Sequence, residues 1–164
     1  MDVASSRKVS VLFVCMGNIC RSPMAEGVFT HKAARLDLEK SIVIDSAGTH
    51  DYHIGAIPDH RARQTMADAG YDISGLRARQ VCSDDFDKFD YILAMDENNL
   101  AHLKRMAGVN QHKVQLYLNF SGRFARQAVP DPYYGEQDGF ELVRAMVEDA
   151  ADGLLKAVKA DLEK

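Results

Sequence analysis

The chain has 164 residues, of which 46% are apolar and 27% charged, with a formal net charge of -4. That length gives one domain, expected over residues 1–164, with enough apolar residues for a buried core. An acidic balance without a basic stripe excludes a general nucleic-acid binder, so any anion site must work by local geometry rather than by the field of the whole chain.

The opening segment MDVASSRK leads into an apolar run, Val9 to Val14, that flows straight into the most informative motif. Cleavage of a leader there would destroy that motif, so none is expected. No stretch approaches the length of a membrane span, and no membrane partner is expected. The three cysteines, Cys15, Cys20 and Cys82, lack CxxC spacing. They suit neither a disulfide framework nor a zinc site, and they point to a reducing, cytoplasmic location.

Val9 to Val14 is β-branched and nearly continuous, as a strand buried on both faces is. Pro23 opens a helix on which Met24, Ala25, Val28, Phe29, Ala33 and Leu36 recur at helical spacing. Ser41 to Ser46 reads as a second strand, closed by Ala47 and Gly48. After a long loop, Asp59 caps a helix with Ala62, Met66 and Ala69 on one face and Gly70 at its end. Phe89 to Ala94 is a third strand, and Asp96 begins a helix carrying Leu100, Leu103 and Met106 up to Gly108. Lys113 to Leu118 is a fourth strand. Asp138 and Glu141 form a capping-box-like pair for a last helix with an apolar stripe from Val143 to Val158. The alternation predicts an α/β fold, a parallel sheet with helices on both faces. In such sheets ligands sit at the carboxyl ends of strands.

The first strand ends at Cys15, which begins Cys15-Met16-Gly17-Asn18-Ile19-Cys20-Arg21-Ser22. Five residues separate Cys15 from Arg21, enough for a loop whose N–H groups face a common centre. Such a nest at a helix N-terminus binds oxyanions. Gly17 and Asn18 tolerate the left-handed backbone that the curl demands. Arg21 can return a guanidinium fork to two phosphate oxygens. The same field favours a thiolate at Cys15, ready to attack phosphorus in line. Ser22 can donate its hydroxyl to that sulfur. A lone cysteine at a strand end is ordinarily a packing residue; the strand before it and Arg-Ser-Pro after it are not explained that way. No GxxxxGK[ST] or GxGxxG is present here.

Attack on a phosphate monoester needs a proton for the departing oxygen. The candidate is Asp131 in Val129-Pro130-Asp131-Pro132-Tyr133-Tyr134-Gly135, where two of the chain's 4 prolines flank the carboxylate. Those prolines restrict the backbone on either side. Tyr133 and Tyr134 add aromatic surface suited to a flat ring.

On these two loops the chain resembles the low-molecular-weight protein tyrosine phosphatases. The motifs that carry it are VCMGNICRSPMAE, DSAG, DYILAMDENNL and DPYYG, spread over essentially the whole length. The resemblance implies a flavodoxin-like three-layer fold with a four-stranded parallel sheet. It implies Cys15 as nucleophile, Arg21 as phosphate binder, Asp131 as general acid and then base, and Asn18 and Ser46 in a network supporting the loop. It implies no metal or organic cofactor and a phosphotyrosine protein or peptide as substrate. Ile19 stands where similar phosphotyrosine enzymes carry an apolar residue and related protein-arginine phosphatases carry Thr. Tyr52 stands where the family often has an aromatic wall residue, so Ile19, Tyr52, Tyr133 and Tyr134 are expected around the ring. Cys20 is where the family has a cysteine able to pair with the nucleophile under oxidation. His50 and His53 are expected to face solvent. Leu76 departs from the pattern: some members have His there, supporting the loop network, and Leu76 cannot hydrogen-bond. Two other functions share the loop. A thioredoxin-coupled arsenate reductase needs resolving cysteines, for which only Cys82 stands after the second helix. A non-catalytic phosphoprotein-binding module would not need the acid.

Overall fold

Val9–Cys15 forms β1, the centre of a four-stranded parallel sheet in the computed structural model, which describes residues 8–135 and 137–164. The expected leader-free start and the first seven residues of the expected domain lie outside the described residues. The remaining elements follow in order: α1 (Arg21–Arg35), β2 (Ile42–Gly48), α2 (His60–Asp68), α3 (Ser83–Lys88), β3 (Tyr91–Ala94), α4 (Glu97–Ala107), β4 (Val114–Leu116) and α5 (Gln137–Leu162). The strands lie in the order β2-β1-β3-β4, with Val9 opposite Ile42, Val11 opposite Tyr91 and Ile92 opposite Val114. This is the flavodoxin-like arrangement.

The period of two on β1 divides the core. Val11 and Phe13 pack in one layer with Met24, Val28 and Phe29 of α1 and Val143, Val147 and Leu154 of α5. Leu12 and Val14 point the other way, into a smaller layer with Phe86 of α3 and Leu103 and Ala107 of α4. Both faces of β1 are therefore apolar, as the continuous run in the sequence required. The connections run from β1 outward to β2 on one side and back to β3 on the other. The crevice between the carboxyl ends of β1 and β3 is thus the switch point.

Several expected boundaries move. Helix α3 falls in a segment, Ser83–Lys88, with too little apolar periodicity to announce a helix; Phe86 is its buried anchor. Phe89, expected in the third strand, caps that helix and is fully buried. The fourth strand stops at Leu116, because Tyr117–Phe120 turns into a 3-10 helix that buries Tyr117 and Leu118 under α5. Leu36, Met106 and Ala69, expected on apolar faces, are exposed near the ends of their helices. Helix α5 already contains Gln137, so Asp138 lies within its first turn rather than at its cap. Among the described residues no helix is long and apolar enough to cross a membrane.

Candidate active site

Cys15 ends β1 and Arg21 begins α1, so residues 16–20 must reverse the chain at the switch point. Asn18 makes this possible with a left-handed backbone at φ 58°. Gly17, expected to share that conformation, does not have a positive φ; its lack of a side chain matters instead because a Cβ would come within 3.0 Å of His53 Cδ2. The end of β2 presses on the loop from outside. A Cβ on Gly48 would stand 2.6 Å from the Met16 carbonyl oxygen, so this approach requires glycine.

The loop rests on one fixed amide. The backbone N–H of Arg79 donates to Asn18 Oδ1 at 3.0 Å, which sets the orientation of the Asn18 side chain. Asn18 Nδ2 then donates to Ser22 Oγ at 2.8 Å and to Ser46 Oγ at 3.0 Å. Since Ser22 Oγ accepts there, its own proton is left for Cys15 Sγ at 3.0 Å, a closer partner than the Ala47 carbonyl at 3.5 Å. Ser46 in turn donates to Glu26 Oε1 at 2.6 Å. Cys15, Asn18, Ser22 and Ser46 are all buried.

Arg21 is the largest fully buried side chain among the described residues. Its Nη1 donates to Asp96 Oδ2 at 2.6 Å and to the Val129 carbonyl at 3.1 Å, and its Nη2 lies 3.5 Å from Asp131 Oδ2. Burial pulls the guanidinium pKa down, but the Cys15 sulfur, Asp96 and Asp131 outweigh it, and the group stays raised above its ordinary value. The buried Nε meets no protein acceptor among the described residues. A buried guanidinium N–H at the mouth of a helix N-terminus is suited to a phosphate oxygen.

The proline-flanked segment closes the other side. Val129 is pinned twice, by its N–H to the Met95 carbonyl at 2.8 Å and by its carbonyl to Arg21. Asp131 Oδ1 accepts from the Tyr133 N–H at 3.1 Å, an Asx turn that orients the carboxylate. Arg61 Nη2 donates to the Tyr133 carbonyl at 2.8 Å, while Asp59, its partner in α2's cap, donates its N–H to the Ile19 carbonyl. The α2 N-terminus thus ties both loops together.

A cleft follows, lined by Cys15, Met16, Gly17, Ile19, Cys20, Arg21, Tyr52, His53, Asp131, Tyr133 and Tyr134. Every residue singled out for the substrate wall borders it, while Asn18, Ser22 and Ser46 lie beneath. Tyr133 and Tyr134 meet edge to face at 4.9 Å, and Tyr52 stacks on His50 at 5.1 Å. His53 is half-buried and lines the cleft, and His50 is half-buried between Tyr52 and His102, so neither faces open solvent as expected. Cys20 is buried, and desolvation, then the charges of Asp59, Cys15 and Asp131, push its thiol pKa far up. It is therefore a neutral thiol. Asp96, Glu26, Arg79 and His53 carry parts of this geometry that the sequence reading missed. Asp96 and Glu26 had a signal, since they stand within the DYILAMDENNL and VCMGNICRSPMAE motifs; Arg79 and His53 stand in none of the quoted motifs. Among the described residues no group of three His, Cys, Asp or Glu could hold a metal ion.

With this geometry in place, comparison with known proteins is specific. The family model described as low molecular weight phosphotyrosine protein phosphatase matches residues 10–164. The low molecular weight protein-tyrosine-phosphatase YfkJ of Bacillus subtilis is 41% identical over 154 residues, covering 93% of this chain and 97% of that one. A protein tyrosine phosphatase structure from Entamoeba histolytica superimposes with a TM-score of 0.90 at 37% identity, covering 94% of this chain and 99% of the other. A Drosophila arginine phosphatase superimposes with a TM-score of 0.84 at 33% identity, covering 91% and 97%.

Proposed function

This chain belongs to the low molecular weight phosphotyrosine protein phosphatase family, a family of hydrolases, and on that premise we propose that it hydrolyses phosphotyrosine in proteins or peptides through a phosphocysteine intermediate. The observation that carries the reading is the convergence of Cys15, Arg21 and Asp131 on one cleft, with Arg21 Nη2 3.5 Å from Asp131 Oδ2. Arg21 and the loop N–H groups bind the phosphate oxygens and hold phosphorus in line with Cys15 Sγ. The thiolate forms the S–P bond as the P–O bond to the tyrosine breaks, and Asp131 gives its proton to the departing phenolic oxygen. Asp131 then takes a proton from water, whose oxygen attacks phosphorus. The S–P bond breaks, and the Ser22 hydroxyl stabilises the returning thiolate. Ile19, Tyr52, Tyr133 and Tyr134 enclose the ring.

Residues 1–164 act as a single domain in this reading, and a cytoplasmic location suits a catalytic thiol. Cys20 adds a redox brake. Peroxide converts the Cys15 thiolate to a sulfenic acid and hydroxide; the Cys20 thiol condenses with the sulfenic acid, releasing water and leaving a disulfide. If Cys20→Ser regained activity under thiol as fully as wild type after peroxide, that role would be wrong.

The test is turnover of a phosphotyrosine peptide beside a phosphoarginine peptide, with p-nitrophenyl phosphate as the reporter. Cys15→Ser should abolish turnover while still binding phosphate, and Asp131→Ala should slow the reaction most for poor leaving groups. Wild-type rates in Cys15→Ser would end the mechanism. A preference for phosphoarginine would move the substrate to that class, and arsenate-dependent oxidation of thioredoxin would favour the reductase reading.

A further inference from the structure

The loop amide of Asn18 needs a partner behind Ser46, and Leu76, the residue whose position suggested such a partner, is apolar. Leu76 instead packs against the core and lines a shallow surface depression together with Glu26, Gly27, His31, Tyr71 and Asp72. The polar contact comes from a different element. Glu26, on the second turn of α1, reaches across to β2 and accepts the Ser46 hydroxyl at 2.6 Å.

We infer that Glu26 is a positioning residue for the nucleophile: through Ser46 and Asn18 it orients the Ser22 hydroxyl that donates to Cys15 Sγ. This deepens the phosphatase reading and rests on Cys15 being its nucleophile. The direction of each bond supports the chain. Ser46 has one proton, and giving it to Glu26 turns its lone pair towards Asn18 Nδ2. Asn18, pinned at Oδ1 by Arg79, has its second N–H left for Ser22, and Ser22 has its proton left for sulfur. Hydrogen bonds in such a chain polarise one another, so removal of the terminal acceptor loosens the rest.

The surroundings keep Glu26 near the balance between its two forms. Desolvation pushes its carboxyl up to about 7; the Ser46 hydrogen bond opposes this, Asp45 of β2 adds to it and Arg79 opposes it. His31 and Asp72 border the same depression. Either form of the carboxyl presents an oxygen to Ser46.

The experiment compares Glu26→Leu, Glu26→Gln, Ser46→Ala and the Glu26→Leu/Ser46→Ala double variant. It reads kcat with p-nitrophenyl phosphate and the rate of Cys15 alkylation by iodoacetate, followed by mass spectrometry of the Cys15 peptide. Glu26→Leu should lower both by about five- to tenfold, the scale of one ordinary hydrogen bond. Glu26→Gln, which keeps an acceptor oxygen, should recover most of the loss. In the Ser46→Ala background the Glu26→Leu change should add nothing further. Wild-type kcat and alkylation in Glu26→Leu, or full additivity with Ser46→Ala, would overturn the inference. Should Glu26→Leu not fold, Ser46→Ala alone must lower both readouts, and a wild-type result there overturns it equally. A wild type that does not hydrolyse p-nitrophenyl phosphate would instead sink the phosphatase reading, while the alkylation rates still decide the role of Glu26.

Discussion

Arg21 is held by a carboxylate that lies 75 residues away, and the pair shows how much of the site depends on single contacts. Asp96 Oδ2 takes an Nη1 proton at 2.6 Å while Arg21 is almost wholly buried. Asp96→Ala should leave the guanidinium without its principal anchor and lower kcat/KM for p-nitrophenyl phosphate by about tenfold, the scale of a charge-assisted hydrogen bond. Steady-state kinetics with unchanged values would show that Val129 and Asp131 suffice to hold it. Glu26 gives a second prediction, in stability rather than rate. Its folded pKa of about 7 lies above the ordinary 4.5, so its contribution to stability is complete below about pH 4.5 and is lost as pH rises to about 7. Glu26→Gln removes that loss. Urea unfolding at pH 5 and pH 8 should show the variant gaining on wild type across this window by at most about 3 kcal/mol, with no further change above it.

At the scale of elements, the long α5 closes one layer of the core, and one glycine sets how near its neighbour comes. A Cβ at Gly153 would stand 1.9 Å from the Phe120 carbonyl oxygen, at the end of the 3-10 turn that follows β4. The contact is with backbone, so the turn itself must move. Gly153→Ala should therefore cost about 2–3 kcal/mol in urea unfolding, despite alanine's better helix propensity. A stabilised variant would show that the turn yields freely. The same turn explains why the fourth strand ends early: Tyr117 and Leu118 are apolar enough to read as strand, but they are buried against α5 rather than paired with β3. Helix α3 was hidden for the opposite reason, since Ser83–Lys88 offers one buried aromatic and mostly acidic neighbours.

For the whole molecule, the proposed anion site lies at the switch point of an acidic chain, so binding there would come from the loop, the α1 N-terminus and Arg21 together. Inorganic phosphate at about 100 times its dissociation constant should stabilise the fold by about 2.7 kcal/mol, raising Tm by roughly 5–10 °C. Cys15→Ser should keep the shift, and Arg21→Lys, which lacks the planar fork, should shrink it. Thermal unfolding with and without phosphate checks both, and an unshifted wild type would remove the anion site.

The sequence by itself determined the local parts: Cys15 through Ser22 as a strand-to-helix loop, Asp131 between its prolines, and an α/β order of elements. These were legible because spacing within a few residues dictates them. Only the tertiary structure decided what stands behind them. Asp96 meets Arg21, Glu26 meets Ser46 and Arg79 meets Asn18 because β1, β2 and β3 end side by side, bringing together residues that are 75, 20 and 61 positions apart. No periodicity encodes such a meeting. It is set by strand order and by the close approach that Gly48 allows, and these decide that Glu26, rather than Leu76, meets the Ser46 hydroxyl.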